Sequence, residues 1–275
     1  MNAKDYIGLL KSSAGRSTVL TCRYCGTDTR SVGQMCMCSN CECIVDSSRS
    51  AIEKGDHLLI ASLDRINGSM GTNNYADAAT AYDQLVAQKK DPLMMYAAAL
   101  AYLKYSNYEI TQIGYMTPGF MEGNTVHRDK AAKLASSAKR LLAKSIAVSN
   151  AAIKEGNSSF GILYARFLAQ VKMGMKKGAS DSIAMLEKSG NSYVHDYSRM
   201  VFESSMERYE KVIAAAEKLM TAESFSVNAF YYAGLALFKT RKLKEAKMVL
   251  ESLRGMLKSD NLEALIFEVD AQLIS

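Results

Sequence analysis

Six cysteines, all within the short segment from Cys22 to Cys43, are the residues of this 275-residue chain best suited to chemistry. Four of them form two Cys-x2-Cys pairs, and twelve residues separate the pairs. Thiolates at this spacing are typical tetrahedral ligands of Zn²⁺, with one pair at each end of a hairpin. The sequence therefore predicts one structural zinc ion per chain, with the ligands Cys22, Cys25, Cys38 and Cys41.

The other two cysteines, Cys36 and Cys43, flank the second pair symmetrically. In a tight turn between two strands, they would face each other across the strands. Three roles are open for them: small buried apolar side chains, alternative metal ligands, or a redox-active pair.

Short strands are needed to position the cysteines, and β-favouring residues lie on both sides of the pairs. We expect strands at Thr18–Thr21, Ser31–Met37 and Ile44–Val45. Residues 17–46 resemble a zinc ribbon, except that Glu42 stands where this family often has a glycine. So small a module cannot bury enough apolar surface to fold alone, so metal binding would supply its folding free energy.

Outside this segment, the composition indicates a helical protein. The chain has two prolines, no tryptophan and sixteen methionines, and its apolar residues recur at helical spacing from residue 51 onward. Segments of about 12 to 17 residues alternate with short Gly, Asn or Ser breaks, which is typical of stacked helical hairpins.

Three of these hairpins resemble the tetratricopeptide repeat, most clearly residues 228–253. The positions that carry the resemblance are Phe230, Gly234, Leu237, Leu243, Ala246 and Leu250, then Tyr75, Ala78, Tyr82 and Leu85, and finally Tyr209, Val212, Ala216 and Leu219. The resulting fold class is mainly α: a tetratricopeptide-like solenoid over residues 51–275, with a small N-terminal β zinc ribbon. A polar segment, residues 46–50, would join the two.

Three other segments do not follow the repeat. Residues 1–16 form an amphipathic segment, and one hypothesis is that it docks as a short helix on the solenoid of the same chain or of a neighbouring chain. Residues 106–128 are expected to be an irregular insertion. Residues 261–274 are expected to form a helix that covers the exposed end of the stack.

Tetratricopeptide proteins are non-enzymatic binders that hold peptides or partner helices in the concave face lined by their first helices. The resemblance therefore implies an adaptor or assembly subunit with a protein or peptide partner, and it is compatible with a homo-oligomer. The groove positions that it implies are Lys104, Tyr105, Tyr197, Asn228, Tyr231, Phe238 and Lys239.

Positive charge is concentrated between residues 128 and 177, which contain eleven basic and two acidic residues, whereas the whole chain has a net charge of +6. On a helix, four of the basic residues form one stripe: Lys130, Lys133, Arg140 and Lys144. This basic stripe favours an alternative function, a nucleic-acid- or ribosome-associated factor that uses the ribbon and this segment together. A solvated helix face is the competing interpretation.

We expect no enzymatic activity, because the three histidines are scattered and no nucleotide-binding or metalloprotease motif is present. No apolar run approaches the ~20 residues of a membrane span, and the N-terminus does not resemble a signal peptide. Clustered thiols then favour metal ligation in a reducing compartment. The expectation is a cytoplasmic protein with no membrane partner.

Overall fold

The structure is a computed structural model that describes residues 1–32, 35–46, 57–88, 90–114, 121–221, 225–257 and 260–274. The chain is mainly α-helical with a small N-terminal β region, as the sequence predicts. None of the helices in these ranges combines the length and apolarity needed to cross a bilayer. The fold has two compact units: Met1–Arg23, Thr27–Ala51 and Ser180–Ser275 form the first, and Tyr24–Gly26 and Ile52–Ala179 form the second.

The elements follow one another along the chain in a simple order. The N-terminal part contains α1 (Ala3–Arg16), β1 (Thr18–Thr21), β2 (Asp28–Val32), β3 (Met35–Met37) and β4 (Ile44–Asp46). The helices α2 (His57–Gly71), α3 (Tyr75–Gln88), α4 (Pro92–Gly114), α5 (Met121–Lys154), α6 (Phe160–Lys172) and α7 (Lys176–Lys188) come next. The C-terminal part contains α8 (Ser192–Ser205), α9 (Tyr209–Met220), β5 (Phe225–Ser226), α10 (Val227–Lys239), α11 (Leu243–Leu253) and α12 (Asp260–Ile274).

The strands form two small antiparallel sheets. One is the β3–β4 hairpin, and the other has the order β1-β2-β5, in which the distant strand β5 pairs with β2. The predicted strands at the start and end of the module are confirmed in β1 and β4. The expected strand Ser31–Met37 is divided between β2 and β3, and residues 33 and 34 lie outside the described residues.

In the first unit, the helices α8 to α12 pack in succession, each against the next. The pattern positions Phe230, Ala246 and Leu250 are fully buried between them. At Gly234, an added Cβ would lie 2.5 Å from Leu250 Cδ2, so the crossing of α10 and α11 depends on the missing side chain. The small residue that carries the sequence resemblance is thus required by the packing.

Two further helices, α12 and α1, pack against α11. α12 packs against α11 and buries four apolar residues, Leu262, Leu265, Ile266 and Val269, as expected for the capping helix. α1 packs against α11, and its Tyr6 is buried and donates a hydrogen bond from its hydroxyl to Glu217 Oε1 at 2.8 Å. The N-terminal segment is therefore a helix that docks on the helices of its own chain.

In the second unit, α4 and α5 are 23 and 34 residues long and exceed the length expected from the repeat. They absorb most of the segment 106–128 that was expected to be irregular, although residues 115–120 lie outside the described residues. The two helices are tied along their length by side-chain hydrogen bonds, from Ser106 Oγ to the Ala131 carbonyl and from Ser145 Oγ to the Pro92 carbonyl, both 2.9 Å. Packing along this pair explains why a segment without repeat character is helical.

The close crossing at Gly234 leads to a first prediction. Gly234→Val should lower the free energy of unfolding by about 1 to 3 kcal/mol, because the added atoms would overlap the buried Leu250 side chain. The measurement is urea unfolding followed by circular dichroism. The matched control is Gly161→Val in α6, where an added Cβ meets nothing within 4 Å. Equal effects at the two positions would contradict this account of the crossing.

Candidate metal centre

Two tight turns, one around each Cys-x2-Cys pair, hold the cysteines in place. In the first turn, the Cys22 N–H donates to the Thr27 carbonyl at 3.0 Å, and Gly26 has a φ of 72°, which a residue without a Cβ adopts without strain. In the second turn, the Cys38 N–H donates to the Cys43 carbonyl at 2.8 Å, and the Asn40 N–H points at Cys38 Sγ at 3.4 Å. In thiolate metal sites, backbone N–H groups typically donate to the ligand sulfurs and hold them in orientation.

Glu42 has the backbone conformation that Gly26 has in the first turn. Its φ is 59°, in the left-handed region that costs a residue with a Cβ roughly 1–2 kcal/mol. Glu42 thus stands where the ribbon resemblance leads one to expect a glycine, and its backbone has the left-handed conformation that a glycine would adopt most easily. Something outside the turn must offset the cost.

The four sulfur atoms converge as a tetrahedral metal site requires. The Sγ atoms of Cys22, Cys25, Cys38 and Cys41 all lie within 4.8 Å of one another, and all four residues are buried. Cys22 and Cys41 Sγ are 3.6 Å apart. Four sulfurs at ~2.3 Å from a central ion would be separated by about 3.8 Å, so the donor set and its spacing fit a metal ion such as Zn²⁺.

Cys36 and Cys43 lie outside this group, although both are fully buried. The expectation that they face each other is wrong. In the β3–β4 register Cys36 is opposite Val45, and the Cys43 carbonyl accepts a backbone hydrogen bond from Cys38. The reason is that Cys41 and Glu42 belong to the turn, which shifts the pairing relative to a turn centred on the second pair. All six cysteines fall within the described residues, and all six are buried.

Asn228, at the start of α10, connects the second turn to the helices of the first unit. Its side chain is 5 % exposed, and its Nδ2 donates to the Cys38 carbonyl at 3.0 Å and to the Tyr197 hydroxyl at 3.1 Å. Tyr197 is completely buried on α8. Burial, and then the nearby Glu42 carboxylate, raise the pKa of the Tyr197 phenol well above its ordinary value, so this group stays neutral.

Tyr232 makes the contact that offsets the strain at Glu42. Its hydroxyl donates to Glu42 Oε1 at 2.7 Å, and its ring lies edge-on to that of Tyr197, 6.3 Å between centroids. Sequence reasoning selected Tyr231 and missed Tyr232. Helical spacing could have found it, since Asn228 and Tyr232 are four residues apart and therefore lie on the same face of α10.

The other predicted groove residues are placed less uniformly. Tyr231 is half-buried, and the pKa of its phenol is raised by burial and by the Glu42 carboxylate. Phe238 is buried, with the exposed Lys239 ammonium 5.2 Å from its ring centroid. Lys104 and Tyr105 belong to the second unit and are half-buried. Of the seven predicted positions, the structure brings Tyr197 and Asn228 into contact with each other at the second turn, where both are already engaged within the chain.

The four residues of the basic stripe on α5 differ in their contacts: Lys130 is bound within the chain, and the other three are exposed. Lys130 Nζ lies 2.8 Å from the buried carboxylate of Glu109, which His127 Nδ1 also contacts at 2.6 Å, and Lys130 covers the Tyr105 ring. Burial acts to raise the pKa of Glu109, but the bonds from Lys130 and His127 outweigh it and hold the pKa below its ordinary value. Lys130 therefore ties α5 to α4, whereas Lys133, Arg140 and Lys144 are exposed.

Comparison with known proteins adds no relative to this picture. No protein-family model matches the chain, and neither does any curated protein or solved structure. The function must therefore be argued from the geometry of the cysteine group and of the surfaces around it.

The contact between Asn228 and the second turn leads to a second prediction. Asn228→Ala should lower the free energy of unfolding of the metal-loaded protein by about 1 to 3 kcal/mol, because it removes a buried donor from two buried oxygens. Urea unfolding is the measurement. Asn157→Ala, at an exposed position, should change stability by less than about 0.5 kcal/mol. A similar small effect at Asn228 would contradict the role given to this contact.

Proposed function

We propose that this protein is a non-enzymatic scaffold in which a structural zinc ion, held by Cys22, Cys25, Cys38 and Cys41, stabilises a tetratricopeptide-like helical body that binds protein partners. The observation that carries the proposal is the closed geometry of the cysteine group. Four buried sulfurs lie within 4.8 Å of one another, and the backbone of the second turn is bonded to α10 through Asn228.

Zinc is the metal that this donor set favours. Four thiolates in a tetrahedral arrangement are typical of structural Zn²⁺ sites, and the bound ion would supply folding free energy to a module too small to fold by itself. Asn228 and Tyr232 extend that stabilisation to the helices, since both donate to the second turn from α10. Metal binding and the integrity of the helical stack are then linked.

A binding role is supported by what the helices already do within the chain. Asn228, on a first helix of a hairpin, donates to a backbone carbonyl of the second cysteine turn, and tetratricopeptide proteins, which this chain resembles, hold their partners in the face lined by first helices. The chain's own cysteine module fills this part of the face. The exposed Lys239, beside the Phe238 ring, is the position that we assign to a partner. A closed site offers no open coordination position for catalysis.

The metal assignment can be tested by comparing two cysteines from the same hairpin. Cys38→Ser should abolish stoichiometric zinc binding and unfold the cysteine module, because it removes one of four ligands. Cys36→Ala should retain one zinc ion per chain, since Cys36 lies outside the sulfur group. Zinc content is measured by elemental analysis and folding by circular dichroism.

Three outcomes would contradict the structural assignment. The first is the loss of zinc from Cys36→Ala as well as from Cys38→Ser, and the second is the visible absorbance of iron in the purified protein. The third is a change in the absorption spectrum of the Co²⁺-substituted protein when azide is added, because an exogenous ligand binds only where a coordination position is open.

The scaffold assignment can be tested on the protein purified from its own cells. A protein partner should remain bound after nuclease treatment, and Lys239→Glu should weaken its binding at least about tenfold, as expected for a contact at the centre of an interface. Lys244→Glu is the matched control, at an exposed position on α11. Release of all bound material by nuclease, or equal binding by the two variants, would contradict partner binding at this surface.

A further inference from the structure

A recess in the second unit shares no residue with the cysteine group and has no part in the proposed function. It is formed by α3, α4 and α5 and has a volume of about 240 Å³. Its lining consists of Asp83, Tyr102, Ser137, Arg140, Leu141 and Lys144. Drug-sized ligands usually occupy about 300 to 1,000 Å³, so this recess suits a small charged group.

Two cations of the recess are not used by the fold. Among the residues that the structure describes, no carboxylate forms an ion pair with Arg140 or Lys144. The contrast within the same stripe is Lys130, which is bound to the buried Glu109. Among the described residues, the basic stripe thus contains one cation that is paired with a buried carboxylate, Lys130, and two cations, Arg140 and Lys144, that line the cavity without a carboxylate ion pair.

Neighbouring hydroxyl groups orient the recess. Arg140 Nη2 donates to Ser137 Oγ at 3.0 Å, which fixes the guanidinium and leaves the Ser137 hydroxyl proton for another acceptor. Tyr102 donates its hydroxyl proton to Asp83 Oδ2 at 2.7 Å, so the single carboxylate of the recess is already hydrogen-bonded. Burial, together with this bond, raises the pKa of Tyr102, which therefore remains a donor.

We propose that this recess binds one phosphodiester group of a nucleic-acid strand. The formal charge of its side chains is +1, from two cations and one carboxylate, and a phosphodiester carries −1. The guanidinium, the ammonium and the serine hydroxyl are three donor groups around one cavity, which matches the several oxygens of a phosphate.

A polymer is favoured over an isolated anion by the surrounding charge. Residues 128–177 contain eleven basic and two acidic residues, and a strand that lies on such a segment gains affinity from each phosphate it neutralises. The recess is too small to enclose a nucleotide with its base, so binding would be independent of sequence. An acidic polypeptide is the competing polyanion, but the two oxygens of a carboxylate lie in one plane, whereas the two anionic and two ester oxygens of a phosphodiester are arranged tetrahedrally and can face donor groups from several directions.

The experiment uses the full metal-loaded chain and fluorescence anisotropy with a labelled oligouridylate, an oligothymidylate and a short DNA duplex at low salt. Arg140→Ala/Lys144→Ala should weaken binding at least about tenfold and reduce the slope of log affinity against log salt by roughly 1. The matched control is Lys211→Ala/Lys244→Ala, which removes the same charge from exposed positions outside the recess and outside residues 128–177. It should change affinity by less than about threefold.

A second variant keeps the proposal testable if the double substitution disturbs folding. Asp83→Asn removes the only negative charge of the recess and keeps an oxygen that accepts the Tyr102 proton. It should tighten oligonucleotide binding by about threefold to tenfold, because the phosphate no longer lies near a carboxylate. A misfolded variant would not gain affinity.

Three results would overturn the proposal. They are the absence of oligonucleotide binding at low salt, equal losses in the recess and control variants, and weaker or unchanged binding by Asp83→Asn. Displacement of the oligonucleotide by polyglutamate as readily as by inorganic phosphate, at equal ionic strength, would also overturn it, since the recess would then bind any anion. A failed metal test leaves these predictions intact, because the recess and the cysteine group share no residue.

Discussion

The hydrogen bond from Asn228 to the Cys38 carbonyl is the interaction on which the first unit depends. It joins residues 190 positions apart in sequence, and it connects the second cysteine turn to the helical stack. Tyr232, one helical turn further along α10, repeats the connection at Glu42. The pairing of β2 with β5 adds a third link between the same two regions.

The contact with Tyr232 gives a reason for the left-handed backbone conformation of Glu42. A glutamate in the left-handed region is unfavourable by itself, and a glycine would avoid the cost. The glutamate instead supplies the carboxylate that accepts the Tyr232 hydroxyl proton. Glu42 thus has an unfavourable local conformation and makes a favourable long-range contact, a combination found where the surroundings hold a residue firmly in place.

Local patterns made part of this structure predictable. The Cys-x2-Cys spacing identified the four converging sulfurs, and helical periodicity identified the C-terminal hairpins and the capping helix, because these signals involve residues close in sequence. The opposition of Cys36 and Cys43 was predicted wrongly, since a single left-handed residue in the turn changes the register. The occupation of the face around Asn228 by the chain's own cysteine turn depends on a contact over 190 residues, for which a single sequence carries no local signal.

The first unit is discontinuous in sequence, and this has a consequence for the protein as it is made. The cysteine turns leave the ribosome early, whereas Asn228 and Tyr232 follow about 190 residues later. At translation rates of about 5 to 20 residues per second, roughly 10 to 40 s pass between the synthesis of the turns and that of the helices that cover them. During that interval the nascent thiols are exposed to oxidants and to competing metals. Early capture of the metal ion by the nascent chain would protect them until the C-terminal helices arrive.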